Sequence, residues 1–186
     1  MSDELIAALQ ERVRSGRDLT EGHAPWHHGP YAPLSPSLLR AAESRMGLHL
    51  PAILQRLYLE VANGGFGPGY GLLGLTGGAT SSHKETLETE YALKTRSEPR
   101  DPHWRWPVGL LPAFELGCGM FLCVDARAPK ADVIVFEPNP HVDGGPWTDA
   151  FFHSPHSVAV WLESWLNGGE MAKQVWLDTL PELAED

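Results

Sequence analysis

Apolar residues recur at three- and four-residue spacing in several stretches of the chain, and each stretch is bracketed by punctuation that predicts a helix. Leu5, Ile6, Leu9 and Val13 form one short stripe that stops near Gly16. Leu38, Leu39, Ala42 and Met46 repeat the pattern after Ser35-Pro36. There Ser35 suits the N-cap, Pro36 the first turn, and Leu34 and Leu39 a hydrophobic staple, with Gly47 as the stop. Leu50-Pro51 opens the next helix. Pro51 fits a first turn because its missing N–H would have no helical partner there, and Ile53, Leu54, Leu57, Tyr58 and Val61 line one buried face. Asn63-Gly64-Gly65 ends it, Asn63 and Gly64 being able to take positive φ. A glycine-laced apolar segment, Phe66 to Leu75, follows at once, so the pattern predicts a helix-to-strand corner.

Ser82-His-Lys-Glu85 has the form of a capping box, and Leu87 and Tyr91 give a modest stripe to a polar helix running towards Glu98. A connection rich in Pro and Trp, Pro99 to Pro107, leads to three apolar runs of strand length: Val108–Leu116, Met120–Asp125 and Val133–Glu137. Gly117-Cys118-Gly119 separates the first two, and a polar turn with Pro129-Lys130 the last two, which predicts an antiparallel meander. Met120–Val124 and Val133–Phe136 are apolar on both alternating faces, as central strands covered on both sides are. After Ser154-Pro155, Val158, Trp161, Leu162, Trp165 and Leu166 predict a helix stopped by Asn167-Gly168-Gly169, and a last helix runs from about Glu170 to Leu180. The fold class expected is α+β: a central, mainly antiparallel sheet with a meander, flanked by N-terminal and C-terminal helices.

With 186 residues, 42 % of them hydrophobic, the chain suits one domain with a sizeable core. Residues 1–33 read as a helix and linker appendage, Gly22 to Pro33 being too rich in Pro and His for regular structure. Residues 34–186 read as a single α+β domain. No apolar run approaches the ~20 residues that span a bilayer, and Met-Ser-Asp-Glu lacks the basic start of a secretory signal, so a cytoplasmic protein is expected. Two cysteines, Cys118 and Cys123, read as small buried apolar residues. The net charge of −10 argues against nucleic acid or an anionic membrane as partner. Its placement says more. From Glu115 onward 12 acids face only Arg127, Lys130 and Lys173, a net of −9, against −1 for residues 1–114. This fits a solubilising face with an acidic tail (Asp178, Glu182, Glu185, Asp186), or an acidic surface matched to a basic partner.

Candidate chemistry is sparse. Gly69-x-Gly71-x-x-Gly74 matches a dinucleotide fingerprint in form, but here a helix precedes and a strand follows, the reverse of what cradling a pyrophosphate requires. The glycines read as permitting a bend and close backbone packing. There is no phosphate loop and no Gly-x-Ser-x-Gly elbow, and no cofactor is expected. Among nine histidines, His27 and His28 are adjacent and point apart, while His153 and His156 can share a face without an acid at a motif offset. Asp125 with Asp132, or Glu115 with Glu137, would have to face each other across the meander to act as paired carboxylates. Of the seven tryptophans, Trp161 and Trp165 lie on a core face. Trp26, Trp104, Trp106 and Trp147 lie in Pro- and Gly-rich connections, where a ring plugs a gap or anchors a partner. Trp147, beside Asp143 and Asp149, is the anchor candidate.

Leu50-Pro51 and its helix, Asn63-Gly64-Gly65, the glycine-rich strand, Trp106-Pro-Val-Gly-Leu-Leu-Pro112, Gly117-Cys118-Gly119, Asp125 and the Trp161-Leu162…Trp165 helix together resemble the SUKH superfamily, the Smi/Knr-type proteins. The resemblance runs over about residues 35–168, and its specificity lies in order and spacing. Ala52 departs from it, since relatives often carry an acid after Leu-Pro. The resemblance implies a non-enzymatic protein-binding domain, in bacteria an immunity protein that neutralises a polymorphic toxin, with fungal relatives acting in regulation. With the charge, it points to a basic toxin domain of nuclease or deaminase type, occluded by an acidic surface of Glu115, Asp125, Asp132, Glu137, Asp143 and Asp149 around Trp147. Two other readings stand beside it: a metal-dependent hydrolase using histidines and strand-end carboxylates, and a regulatory scaffold.

Overall fold

The computed structural model of the chain describes residues 2–27, 29, 31–98, 100–128, 131–170 and 173. Helix α1, Asp3–Ser15, is capped by the Ser2 hydroxyl and closed by Gly16 at φ 65°. Its Leu5, Ile6, Leu9 and Val13 enter the same hydrophobic core as the rest of the chain. Helix α2, Pro36–Met46, runs from the Ser35 cap to Gly47 at φ 69°. Leu39 and Ala42 are buried as the stripe requires, whereas Leu38, expected inside, is exposed. Glu43 is buried in addition, because its carboxylate accepts from the Leu50 N–H at 2.8 Å and the Gln55 amide at 3.3 Å, tying the short joint together.

Helix α3, Ala52–Arg56, continues as a π-helical turn over Leu57–Val61. Pro51 sits one position earlier than expected, as the N-cap residue with extended ψ of 145°. In the π turn the Ala62 N–H bonds to the Leu57 carbonyl, which frees the Tyr58 carbonyl to accept from the Leu34 N–H at 2.8 Å. The wider turn thereby fastens the linker to the helix. At the corner Gly64 and Gly65 take φ of 83° and 81°. Asn63, expected to share that conformation, does not; it works through its side chain. Its Oδ1 accepts from the Leu75 N–H at 2.8 Å and its Nδ2 donates to the Leu75 carbonyl at 3.3 Å, holding the returning segment against the helix end.

That segment contributes only Gly71–Leu72 as strand β1. Helix α4 is Leu87–Lys94, capped by Thr86 and Thr89 in a reciprocal box rather than by Ser82 and Glu85, and it stops short of Glu98. Ser82 is drawn elsewhere: its N–H and hydroxyl both donate to the buried carboxylate of Glu115. Strands β2 (Leu110–Gly117), β3 (Met120–Asp125) and β4 (Val133–Phe136) form the expected meander, although Val108 lies outside it and is exposed. A 3-10 turn, Trp147–Ala150, leads into a three-residue strand β5, Phe151–His153, too short to leave a sequence signal. Helix α5, Val158–Leu166, is capped by Ser157 and buries Trp161, Leu162 and Trp165. The helix expected from Glu170 to Leu180 lies outside the described residues.

The five strands form one fully antiparallel sheet in chain order. Glu115, Phe121 and Phe136 are cross-strand partners and share one face. That face is covered by α4. Phe114, Leu122, Val135 and Phe152 share the other, where Gly67 lets the chain pass between the Phe114 ring and Leu162 of α5. Among the described residues no helix is long and apolar enough to cross a membrane.

Candidate partner-binding site

The register of the sheet separates the acids expected to form one surface. Asp125 and Asp132 lie at the end of the β3–β4 pair where the Asp125 N–H bonds to the Asp132 carbonyl. The Asp125 carboxylate is engaged there by Arg127 Nε and Nη2 at 3.0 and 2.9 Å, which hold it below the usual carboxylate range. The loop that carries Asp143 and Asp149 leaves from the Phe136 end. Four residues of strand, about 14 Å, separate the two groups.

Glu115 and Glu137 are corrections to that surface, for both are buried. Glu115 accepts from Ser82, and Glu137 from the Asn139 N–H at 2.8 Å and the Asn139 amide. Each carboxylate ties a loop down with neutral donors. Alternation along β4 puts Glu137 on the face opposite Phe136, and hence opposite Glu115, so the two do not frame a cleft. His153 is exposed, and the His156 ring lies edge-on to Trp161 with centroids 6.1 Å apart. His28, the tail acids and the Pro129-Lys130 turn lie outside the described residues. Among the described residues no three His, Cys, Asp or Glu side chains converge as a metal site would need. The Gly69 to Gly74 run brings backbones together: a Cβ on Gly69 would meet the Glu115 carbonyl at 2.5 Å, and one on Gly74 the Asn63 carbonyl at 2.4 Å.

The feature that stands out is aromatic. On the α4 face of the sheet, Phe136 collects Trp104, Trp106, Trp147 and Phe151, with ring centroids 5.0 to 6.2 Å from its own. Trp106 is a plug, fully packed with its indole N–H bonded to the Leu110 carbonyl. Below the rings, Lys94 places its ammonium 4.7 Å from the Phe121 centroid, 5.0 Å from Phe136 and 5.2 Å from Trp106, and pairs with Glu90 at 3.3 Å. Buried charge is tolerated here because ring faces and a carboxylate both meet it.

Trp147 is half-buried at the rim of this cluster. Trp104 meets it edge-on at 4.7 Å, His141 stacks on it at 3.8 Å and 16°, and its indole N–H donates to Asp101 at 2.5 Å. The bond from Trp147 holds the Asp101 carboxyl below its ordinary value. A groove of about 530 Å³ opens beside these groups, between the end of α4, the 95–104 connection and Trp147. Exposed Leu93 lines the groove, and exposed Val142 follows His141 in the chain. A larger hollow of about 780 Å³ between α1 and α5 has no aromatic wall. The sequence singles out Trp147 and its acidic neighbours but not Asp101, Lys94, Glu90 or His141. Asp101 lies 46 residues from the ring it holds, and no local pattern links them.

The model of the SMI1 / KNR4 family (SUKH-1) matches residues 33–170. Neither a curated protein nor a solved structure matches the chain.

Proposed function

The chain belongs to the SMI1 / KNR4 family (SUKH-1), generally non-enzymatic protein-interaction domains, and from that membership we propose that it is an immunity protein. On this reading it neutralises a polymorphic toxin of nuclease or deaminase type in the bacterial cytoplasm, by covering the basic groove with which that toxin holds its anionic substrate. The observation that carries the reading, beyond the family, is the half-buried Trp147, which lies in the part of the chain richest in acids and beside an open groove. A rigid aromatic ring at the centre of an interface supplies residence time, while rim acids such as Asp143 and Asp149 speed encounter with a basic partner. Asp125 and Asp132, at the other end of β4, are near enough for the rim of a standard interface but not for its centre.

The test is co-expression with the protein encoded next to it. The expected result is rescue of growth and recovery of a stable complex whose association slows as salt rises. A neighbour that is not toxic, or a toxic one that neither binds nor is neutralised, would overturn the immunity reading.

A further inference from the structure

Resting on that reading, we propose that the Trp147 groove takes an arginine side chain of the partner, in the position over the indole that His141 occupies in the free protein.

Three observations converge on it. The Trp147 ring is held by three contacts, with Trp104 perpendicular to it at 4.7 Å, with Phe136 at 6.2 Å and through the bond from its N–H to Asp101. Its remaining face carries a flat ring, His141, at 3.8 Å and 16°, so that face already accepts a planar nitrogen-bearing group. A guanidinium is planar and always charged, stacks on indole faces, and forks to a carboxylate. Asp101 is at hand for that fork: it is half-buried, its Oδ2 accepts from Trp147 and its Oδ1 from the His103 N–H at 2.9 Å, and each oxygen keeps a further lone pair for an incoming donor.

The local charge agrees. Lys94 is committed to Glu90 and to three ring faces, so the floor of the groove is close to neutral. At the wall stand Glu98 and Asp101 against Arg96, and the adjoining loop adds Asp143 and Asp149 with no Lys or Arg. The occupant is therefore a cation.

His141 can leave. It sits in the segment from Pro138 to Pro146, where Gly144 has φ 80° with open space where a Cβ would stand, and next to it Val142 is 74 % exposed. A guanidinium stacks on the indole face as a full cation and can bond Asp101 as well, so exchange favours the incoming group. His141 is thus a placeholder that keeps the Trp147 face covered until the partner arrives.

The experiment is an NMR titration of the intact chain with acetyl-arginine amide, following the Trp147 indole N–H, assigned by its loss in Trp147→Phe. Acetyl-citrulline amide, the same shape without charge, is the control. The expected result is a saturable shift with arginine and a far smaller one with citrulline. His141→Ala should tighten arginine binding ~2–5-fold by removing the competitor. Asp101→Asn, which still accepts the indole N–H, should weaken it ~10-fold. No shift, an equal response to citrulline, or a His141→Ala variant that binds more weakly would each overturn the proposal. Because no toxin is used, a failed titration alongside successful rescue defeats the groove assignment alone. A successful titration without rescue defeats the immunity reading alone.

Discussion

Replacing Gly64 by Ala should unfold this protein far more readily than the same change at a glycine of equal dihedral strain, and the difference measures how tightly the corner is built. Gly64 has φ +83°, where a side chain costs about 1–2 kcal/mol. A Cβ there would also lie 2.5 Å from the Gly74 nitrogen, 2.6 Å from the Leu72 carbonyl oxygen and 2.8 Å from the Gly74 Cα. All three are backbone atoms. The Leu72 carbonyl accepts from the Gly65 N–H, and the Gly74 N–H donates to Ala79, so neither can retreat without loosening a hydrogen bond. Overpacking of this kind adds about 1–3 kcal/mol, for a total near 2–5 kcal/mol. Gly16, at φ +65° with nothing within 4 Å, isolates the dihedral cost. Because α1 shares the common core, its loss registers in the same transition. Gly65, at φ +81° with an added Cβ 3.1 Å from the Tyr31 ring, should fall between, since a side chain can yield where backbone cannot. Urea unfolding of the three Ala variants, with slopes checked for constancy, gives the ranking. If Gly64→Ala lost no more stability than Gly16→Ala, the close approach of the corner to Gly74 would be wrong.

Two further outcomes follow from the packing. Trp161 is 1 % exposed and its indole N–H bonds to Ser154, so Trp161→Ala should cost about 3–5 kcal/mol in the same assay. An unmoved midpoint would put the ring on the surface. Burial pushes the Glu88 carboxyl up, but hydrogen bonds from Arg45 and Thr76 outweigh it and hold the group below its ordinary 4.5. A depressed value means stability that is present above about pH 4.5 and lost as pH falls through the lower folded value. Glu88→Gln should therefore cost about 1–3 kcal/mol at pH 7 and flatten the acid limb of a stability profile; an unchanged limb would show that Glu88 is not linked to folding.

Most of the element order was legible because it is written in local chemistry. Ser35-Pro36 and Gly47 bracket α2 in sequence as in space, and the Gly117-Cys118-Gly119 turn, with φ of 94°, 50° and 79°, needs no tertiary partner to be recognised. The misplaced features were settled by distant groups. Two capping boxes compete for the start of α4. Ser82 loses because Glu115, 33 residues on, needs its N–H and hydroxyl, and Thr86 is left to cap the helix. The π turn likewise depends on Leu34, whose N–H takes the carbonyl that the wider register releases. A stripe of apolar residues in one helix carries no trace of either demand.

The same division explains what was readable in the candidate site. A count of acids cannot distinguish a carboxylate facing solvent from one that anchors a loop, and Glu115 and Glu137 are anchors. Glu88 and Glu90 are also interior, each matched to a cation. With Glu43, five buried carboxylates, each held by its own partner, leave the long-range field to the remaining acids, and fields of exposed charges govern encounter more than lifetime. Lifetime requires a shaped, partly dry contact; on the proposed reading that is the Trp147 rim, which assembles only when Phe136, Trp104 and Asp101 converge on the ring. On the proposed reading, net charge in the sequence bears on how fast a basic partner would arrive. Which side chain such a partner would insert, and how long it would stay, would then depend on an aromatic arrangement spread from residue 94 to residue 151.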